Sequence, residues 1–188
     1  MPYEVDEVIF PIPQTIHKPG WVRVCRSLFS ADECRELLQF SEEHGRYYRS
    51  GGKKIKRDVR ICYLQPDDAP WAFTKIAKTF ARHNAWGFAL SGIVEPMRIQ
   101  KYGISGYTRP HVDYDYTSTD QSKITAIVPL VPSRSWSGGD LTVADRRTAR
   151  IDRGDCLLFP SFVWHAVSPV TRGERVVLSA WAAGPRLV

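Results

Sequence analysis

Apolar residues change their spacing partway along this chain. Before about residue 84 they recur at helical intervals in two segments; after it they alternate, or run in short blocks divided by turns. Ser30-Ala31-Asp32-Glu33 is a capping-box arrangement that starts a helix, with Leu37, Leu38 and Phe40 on its apolar side and Gly45 ending it. A second helix is predicted from about Pro70 to Asn84, where Trp71, Ile76, Ala77 and Phe80 recur near helical spacing and read as core. A short strand is expected around Val5–Phe10 in an otherwise extended, proline-rich arm. Further strands are expected over Trp21–Phe29 and Asp58–Leu64, the latter closed by the turn Gln65-Pro66-Asp67-Asp68. From Ala85 onward the expected strands are 86–90, 95–103, 107–111, 123–131, 139–144, 149–151, 155–160, 163–168 and 174–183.

Helices first and many strands afterwards indicate an α+β chain that is mainly β, either layered or a jelly roll with helical support. The chain shows no internal repeat, low-complexity tract or linker, so one domain is expected over 1–188. Residues 1–84 would form the arm and supporting helices, and 85–188 the jelly-roll core. Hydrophobic residues make up 43% and charged residues 24%, ordinary values for a globular protein. Cys25, Cys34, Cys62 and Cys156 form no C-x-x-C pair, which disfavours a structural zinc site and leaves buried thiols as the default. The first residues lack a basic segment followed by an apolar one, and no stretch reaches membrane-spanning length, so a reducing cytoplasm without membrane contact is the expectation.

A formal charge of +6 raises a nucleic-acid partner as a possibility. The densest basic stretch, Arg46 to Arg57, carries Tyr47, Tyr48 and a Gly51-Gly52 pair. It reads as a solvated loop first, then as a phosphate-binding loop with stacking tyrosines or as a lid favouring an acidic substrate.

The candidate chemistry lies in His111-Val112-Asp113, with His165 far downstream and Arg175 soon after it. Two histidines and a carboxylate are the ligand set that holds non-heme Fe(II) while leaving positions open. Side chains two apart on a strand share a face, so His111 and Asp113 can converge on one ion, with His165 supplied by another strand. Arg175 is suited to bidentate capture of a carboxylate. His17, His44 and His83 have no comparable partners and read as ordinary loop or surface histidines.

With those residues in place, the chain resembles iron(II)- and 2-oxoglutarate-dependent oxygenases of the prolyl 4-hydroxylase type, close to the bacterial PKHD-type hydroxylases. The resemblance runs from about Trp71 to the C-terminus. Its most specific stretch is Gly154-Asp155-Cys156-Leu157-Leu158-Phe159-Pro160-Ser161, continuing from His165 through Pro169-Val170-Thr171 to Arg175 and the aromatic strand of Trp181. Tyr102-Gly103 and Ser137-Gly138-Gly139-Asp140-Leu141 also fall where that family has its tyrosine and its glycine turn. The resemblance implies a double-stranded β-helix, a cupin-like jelly roll, with supporting N-terminal helices. It implies that His111, Asp113 and His165 bind Fe(II), that Arg175 pairs with the distal carboxylate of 2-oxoglutarate, and that Tyr102 donates to the same cosubstrate. Dioxygen is the co-reactant it implies, succinate and CO2 the coproducts, and ascorbate a stimulant.

Some positions depart from the family pattern. Where some relatives carry a serine two residues past the arginine, this chain has Val177, and Ser179 lies two further on, so no role is expected for Ser179. Thr108 stands where a second tyrosine is usual, and Tyr107 one earlier is expected to face away. Asp113 favours hydroxylation over halogenation. Trp181 occupies the place of a second arginine in the nucleic-acid-dealkylating branch, which disfavours that partner.

The expected reaction is hydroxylation of an aliphatic carbon of an amino acid, free or in a peptide or protein, with proline as the first guess. A small-metabolite or nucleotide oxygenase and an inactive jelly-roll binding module remain as alternatives. Asp115, Arg98, Arg109 and the 46–57 loop are candidate contacts for a charged substrate. Trp136 and Trp181 are candidate walls of an apolar pocket or plain core. The sequence leaves the oligomeric state open.

Overall fold

The computed structural model describes residues 20–44, 48–49, 56–114 and 119–186. The arm with its expected strand at Val5–Phe10, Gly45, nearly all of the basic 46–57 stretch and Asp115 lie outside them. In chain order the elements are β1 (Arg23–Cys25), α1 (Ala31–Glu43), β2 (Tyr48–Arg49), β3 (Lys56–Leu64), α2 (Pro70–His83), β4 (Met97–His111) and β5 (Asp120–Pro129). A 3-10 turn (Ser133–Ser135) leads to β6 (Ser137–Gly138), β7 (Leu141–Val143), β8 (Arg146–Arg147), β9 (Cys156–Pro160), β10 (His165–Val167), β11 (Val170–Arg172) and β12 (Arg175–Pro185).

Both helices begin where the sequence places them. Ser30 caps α1 as half of a closed capping box: its hydroxyl accepts from the Glu33 amide at 3.1 Å, and Glu33 accepts from the Ser30 amide at 2.8 Å. The same Glu33 also takes Lys75 of α2 at 2.6 Å, tying the two helices together. Pro70 opens α2, where its missing N–H costs nothing. Ile76 and Phe80 are buried as expected, but Ala77 faces outward; Ala72 and Thr79 take the inward positions. The face set by Ile76 and Phe80 runs through 72 and 79, and 77 falls one step off it.

The strands form a curled antiparallel sheet in the order β1-β9-β5-β12-β4-β10-β7-β8, with β3 on β4 and a separate β6–β11 pair. The fold is a double-stranded β-helix. Its hinge is β4, a single 15-residue strand where two were expected. Its first half pairs with β12, Arg175 opposite Tyr102 and Ser179 opposite Arg98. Its second half leaves β12 and pairs with β10, His111 opposite His165. The break expected around 104–106 is instead a local irregularity inside a continuous strand, with Ser105 at a φ of 66°.

Other corrections are local. The 21–29 strand shrinks to three residues, because the chain turns at Ser27 (φ 52°) and the Ser27 amide and Arg26 guanidinium both bind the Asp155 carboxylate, at 3.0 and 2.6 Å. Residues 86–90 and 149–151 form no strand, and a short one appears at 146–147. The Gly154-Asp155 pair is thus a structural clamp. A Cβ on Gly154 would stand 2.1 Å from the Phe29 carbonyl, so only glycine lets the 27–29 turn approach.

Candidate metal centre and cosubstrate pocket

The two histidines meet because the curled sheet makes them direct cross-strand partners. Their ring centroids are 4.2 Å apart. Nδ1–H of His111 donates to the Arg109 carbonyl at 2.9 Å, and Nδ1–H of His165 to the Val163 carbonyl at 3.1 Å. That fixes each ring and leaves both Nε2 atoms as lone-pair donors. Each Nε2 lies 3.4 Å from Asp113, one on Oδ1 and the other on Oδ2. One ligand atom from each of the three residues falls within 4.8 Å of the others, a spacing that suits a single cation. Two imidazoles and a carboxylate fit iron(II) with open positions.

Asp113 is held from behind. Its Oδ2 accepts from Trp181 Nε1 at 2.8 Å and from Thr125 Oγ1 at 2.9 Å, and Thr125 is in turn 2.9 Å from the Ser161 hydroxyl. Burial alone would raise its pKa, but His111, His165 and Trp181 outweigh that and hold the carboxyl well below the usual carboxylate range. The ligand is therefore an anion, oriented by two donors.

The three residues open into a cavity of about 320 Å³. Along one wall the inward faces of β4 and β12 match rung by rung: Tyr102 with Arg175, Gln100 with Val177, Arg98 with Ser179. Arg175 is 5% exposed, its Cζ lies 5.0 Å from the Tyr102 ring centre, and its Nη1 is buried without a hydrogen-bond partner among the described residues. Burial lowers the guanidinium pKa, against support from Tyr102. A buried cation with an unmatched donor is costly unless an anion completes it. Gly139 makes room for it, since a Cβ there would stand 2.9 Å from Arg175 Cδ. Tyr102 donates to Gln100 at 2.8 Å, and its hydroxyl is 3.1 Å from that of Thr108. Burial raises its pKa, with Arg175 opposing, so the phenol stays a donor.

All five expected site residues thus line one cavity. Thr108 lines it while Tyr107 does not, as the strand alternation requires. Trp181 and Arg98 line it, whereas Trp136 sits in a smaller space behind Arg175, and Arg109 is exposed. Ser179, for which no role was expected, has its side chain in the cavity wall, 1% exposed. Its even spacing from Arg175 along one strand was the available signal.

A family model of the 2OG-Fe(II) oxygenase superfamily matches residues 97–183, from β4 to β12. A PKHD-type hydroxylase of Burkholderia lata is 32% identical over 164 residues, covering 79% of this chain and 70% of that protein. The chain belongs to the 2OG-Fe(II) oxygenase superfamily. This superfamily uses iron(II), 2-oxoglutarate and dioxygen. A PKHD-type hydroxylase of Idiomarina loihiensis is 31% identical over 91 residues, and that match covers 47% of this chain but 42% of the relative. The chain therefore spans under half the length of some curated relatives it matches. A crystal structure of a Pseudomonas putida prolyl-4-hydroxylase superposes with a TM-score of 0.70 at 18% identity, covering 89% of this chain and 94% of that one, and shares the oxygenase fold. Among the described residues no helix is long and apolar enough to cross a membrane.

Proposed function

We propose that this chain is an Fe(II)- and 2-oxoglutarate-dependent dioxygenase that hydroxylates an aliphatic C–H of an amino acid, free or within a peptide, and releases succinate and CO2. Proline or a proline-like residue is the first substrate class to test, by analogy with its relatives. The observation that carries the reading is the shared cavity: His111, Asp113 and His165 converge in its lining, and the buried, incompletely bonded Arg175 lines it too.

Iron with the keto acid would supply the oxidising power. His111, Asp113 and His165 would hold the metal, and Asp113 is kept anionic and aimed by Trp181 and Thr125. Arg175 would take the distal carboxylate of 2-oxoglutarate through the free Nη1, with Tyr102 beside it as a neutral donor. Apolar Leu141, Val167 and Val177 line the same cavity and would limit water beside the bound reactants.

Anaerobic titration with Fe(II) and then 2-oxoglutarate tests the reading. The expected result is a weak visible charge-transfer absorption that needs both additions, followed by succinate release in air that amino acids or proline-containing peptides stimulate. Folded, iron-loaded protein with no absorption and no succinate would overturn it and restore the binding-module alternative. Stimulation by nucleotides alone would move the substrate to that class.

A further inference from the structure

The cavity contains a second guanidinium, to which the proposed function gives no role. Arg98 on β4 is the direct cross-strand partner of Ser179 on β12, and both line the wall that carries Arg175. Arg98 stands four residues from Tyr102, and Ser179 four from Arg175, so at ~3.3 Å per residue the two rungs are about 13 Å apart along the backbone. The two ends also differ in access: Arg175 is 5% exposed, whereas the Arg98 side chain is 29% exposed and Tyr63 beside it 43%. The Arg98 end is the mouth.

The Arg98 guanidinium lies over two aromatic rings. Its Cζ is 4.4 Å from the Trp181 ring centre and 5.8 Å from that of Tyr63, and one Nη donates to Glu95. Glu95 occupies one terminal nitrogen only. Arg98 Nε is buried with no hydrogen-bond partner among the described residues, and so is the Ser179 hydroxyl on the adjoining strand. Leaving a buried donor unmatched is costly, and more so where the group is charged. Two such groups on directly paired residues of one cavity wall suit an acceptor that takes both, and a carboxylate does so. Trp181 fixes that place relative to the chemistry, because the ring that stacks on Arg98 also donates to Asp113.

We propose that Arg98 and Ser179 bind a carboxylate of the substrate. On the dioxygenase reading above, the preferred substrate is then an amino acid or acylated amino acid with a free carboxylate near the carbon that is oxidised, rather than an internal residue of a polypeptide. The two arginines sort the two acids: Arg175 takes the cosubstrate at the closed end, and Arg98 the substrate at the open one.

The test is equilibrium binding to protein loaded with Zn(II) and 2-oxoglutarate, which needs no turnover. The probes are N-acetyl amino acids, each as the free acid and as its methylamide, read by calorimetry. The expected result is that the best-binding acids exceed their methylamides by about tenfold or more, equivalent to ~1.4 kcal/mol. Arg98→Gln should shrink that gap to about twofold, and Ser179→Ala should shrink it partly, with 2-oxoglutarate affinity unchanged in both. The wild-type comparison stands even if a variant folds poorly, and the 15N resonance of Arg98 Nε–H should shift with acids and stay still with amides. Equal binding of acids and amides, no binding of either, or a gap that survives Arg98→Gln would overturn the proposal. So would a tenfold loss of 2-oxoglutarate affinity in Arg98→Gln, which would make Arg98 a cosubstrate residue. Failure of the dioxygenase reading shows separately, as absent charge-transfer absorption and succinate.

Discussion

The two faces of β12 follow opposite rules. Val176, Leu178, Ala180 and Ala182 point toward the helices, are almost fully buried, and join Leu37, Ile76 and Phe80 in an apolar core. Arg175, Ser179 and Trp181 point the other way, and two of the three leave polar atoms without partners. β4 divides likewise, Met97 and Ile99 to the core and Arg98, Gln100 and Tyr102 to the cavity. A two-residue repeat thus places stability and chemistry back to back on the same strands. The face with unmatched donors is the one that awaits ligands.

If that division holds, mutations on the two faces should have separable effects. His165→Ala should abolish iron binding and all turnover in protein that remains folded. Metal content after anaerobic reconstitution checks it, and retained stoichiometric iron would dissolve the proposed centre. Leu178→Ala, on the opposite face, should cost about 2–5 kcal/mol in urea unfolding, with the folded fraction still binding metal normally. Trp181→Phe keeps a ring for Arg98 but removes the donor to Asp113. A loss of about 10–100-fold in metal affinity is expected, and an unchanged affinity would mean that this bond does not orient the ligand.

Acid should sharpen the contrast further. The Asp113 carboxyl titrates below its ordinary value in the folded chain, against about 3.9 when unfolded. Its stabilisation is therefore present above about pH 4 and is lost as pH falls through the depressed folded value. Metal-free wild type should lose stability below about pH 5 more steeply than Asp113→Asn, and parallel denaturation curves would refute that. The smallest effect belongs to the helix side. Ser30→Ala opens the capping box and should cost ~1 kcal/mol, with metal affinity untouched.

The sequence was most legible where a local rule decides the outcome. Ser30 and Glu33 announced α1, Pro70 announced α2, and H-x-D announced two side chains on one strand face. It was least legible where distant segments decide. Residues 104–106 read as a break between two strands, yet β4 runs on through them, with β3 paired to it on either side. Ala77 fits a helical period in isolation, and only the packing of α2 on the sheet selects the adjacent face. Ser179 is a small polar residue in an apolar run, and its meaning came from the arginine across the ladder. Asp155 was read as part of a family motif, and the structure shows it anchoring the 26–27 turn.

The change of partner along β4 also bears on how the site comes into being. His111 finds His165 only after the strand has left β12 and turned to β10, so the centre joins segments far apart in the chain. Contacts of that range form late, because loop closure must precede any gain from them. Metal capture would then come at the end of folding, and the rate at which a refolding chain acquires iron would time the closing of the barrel.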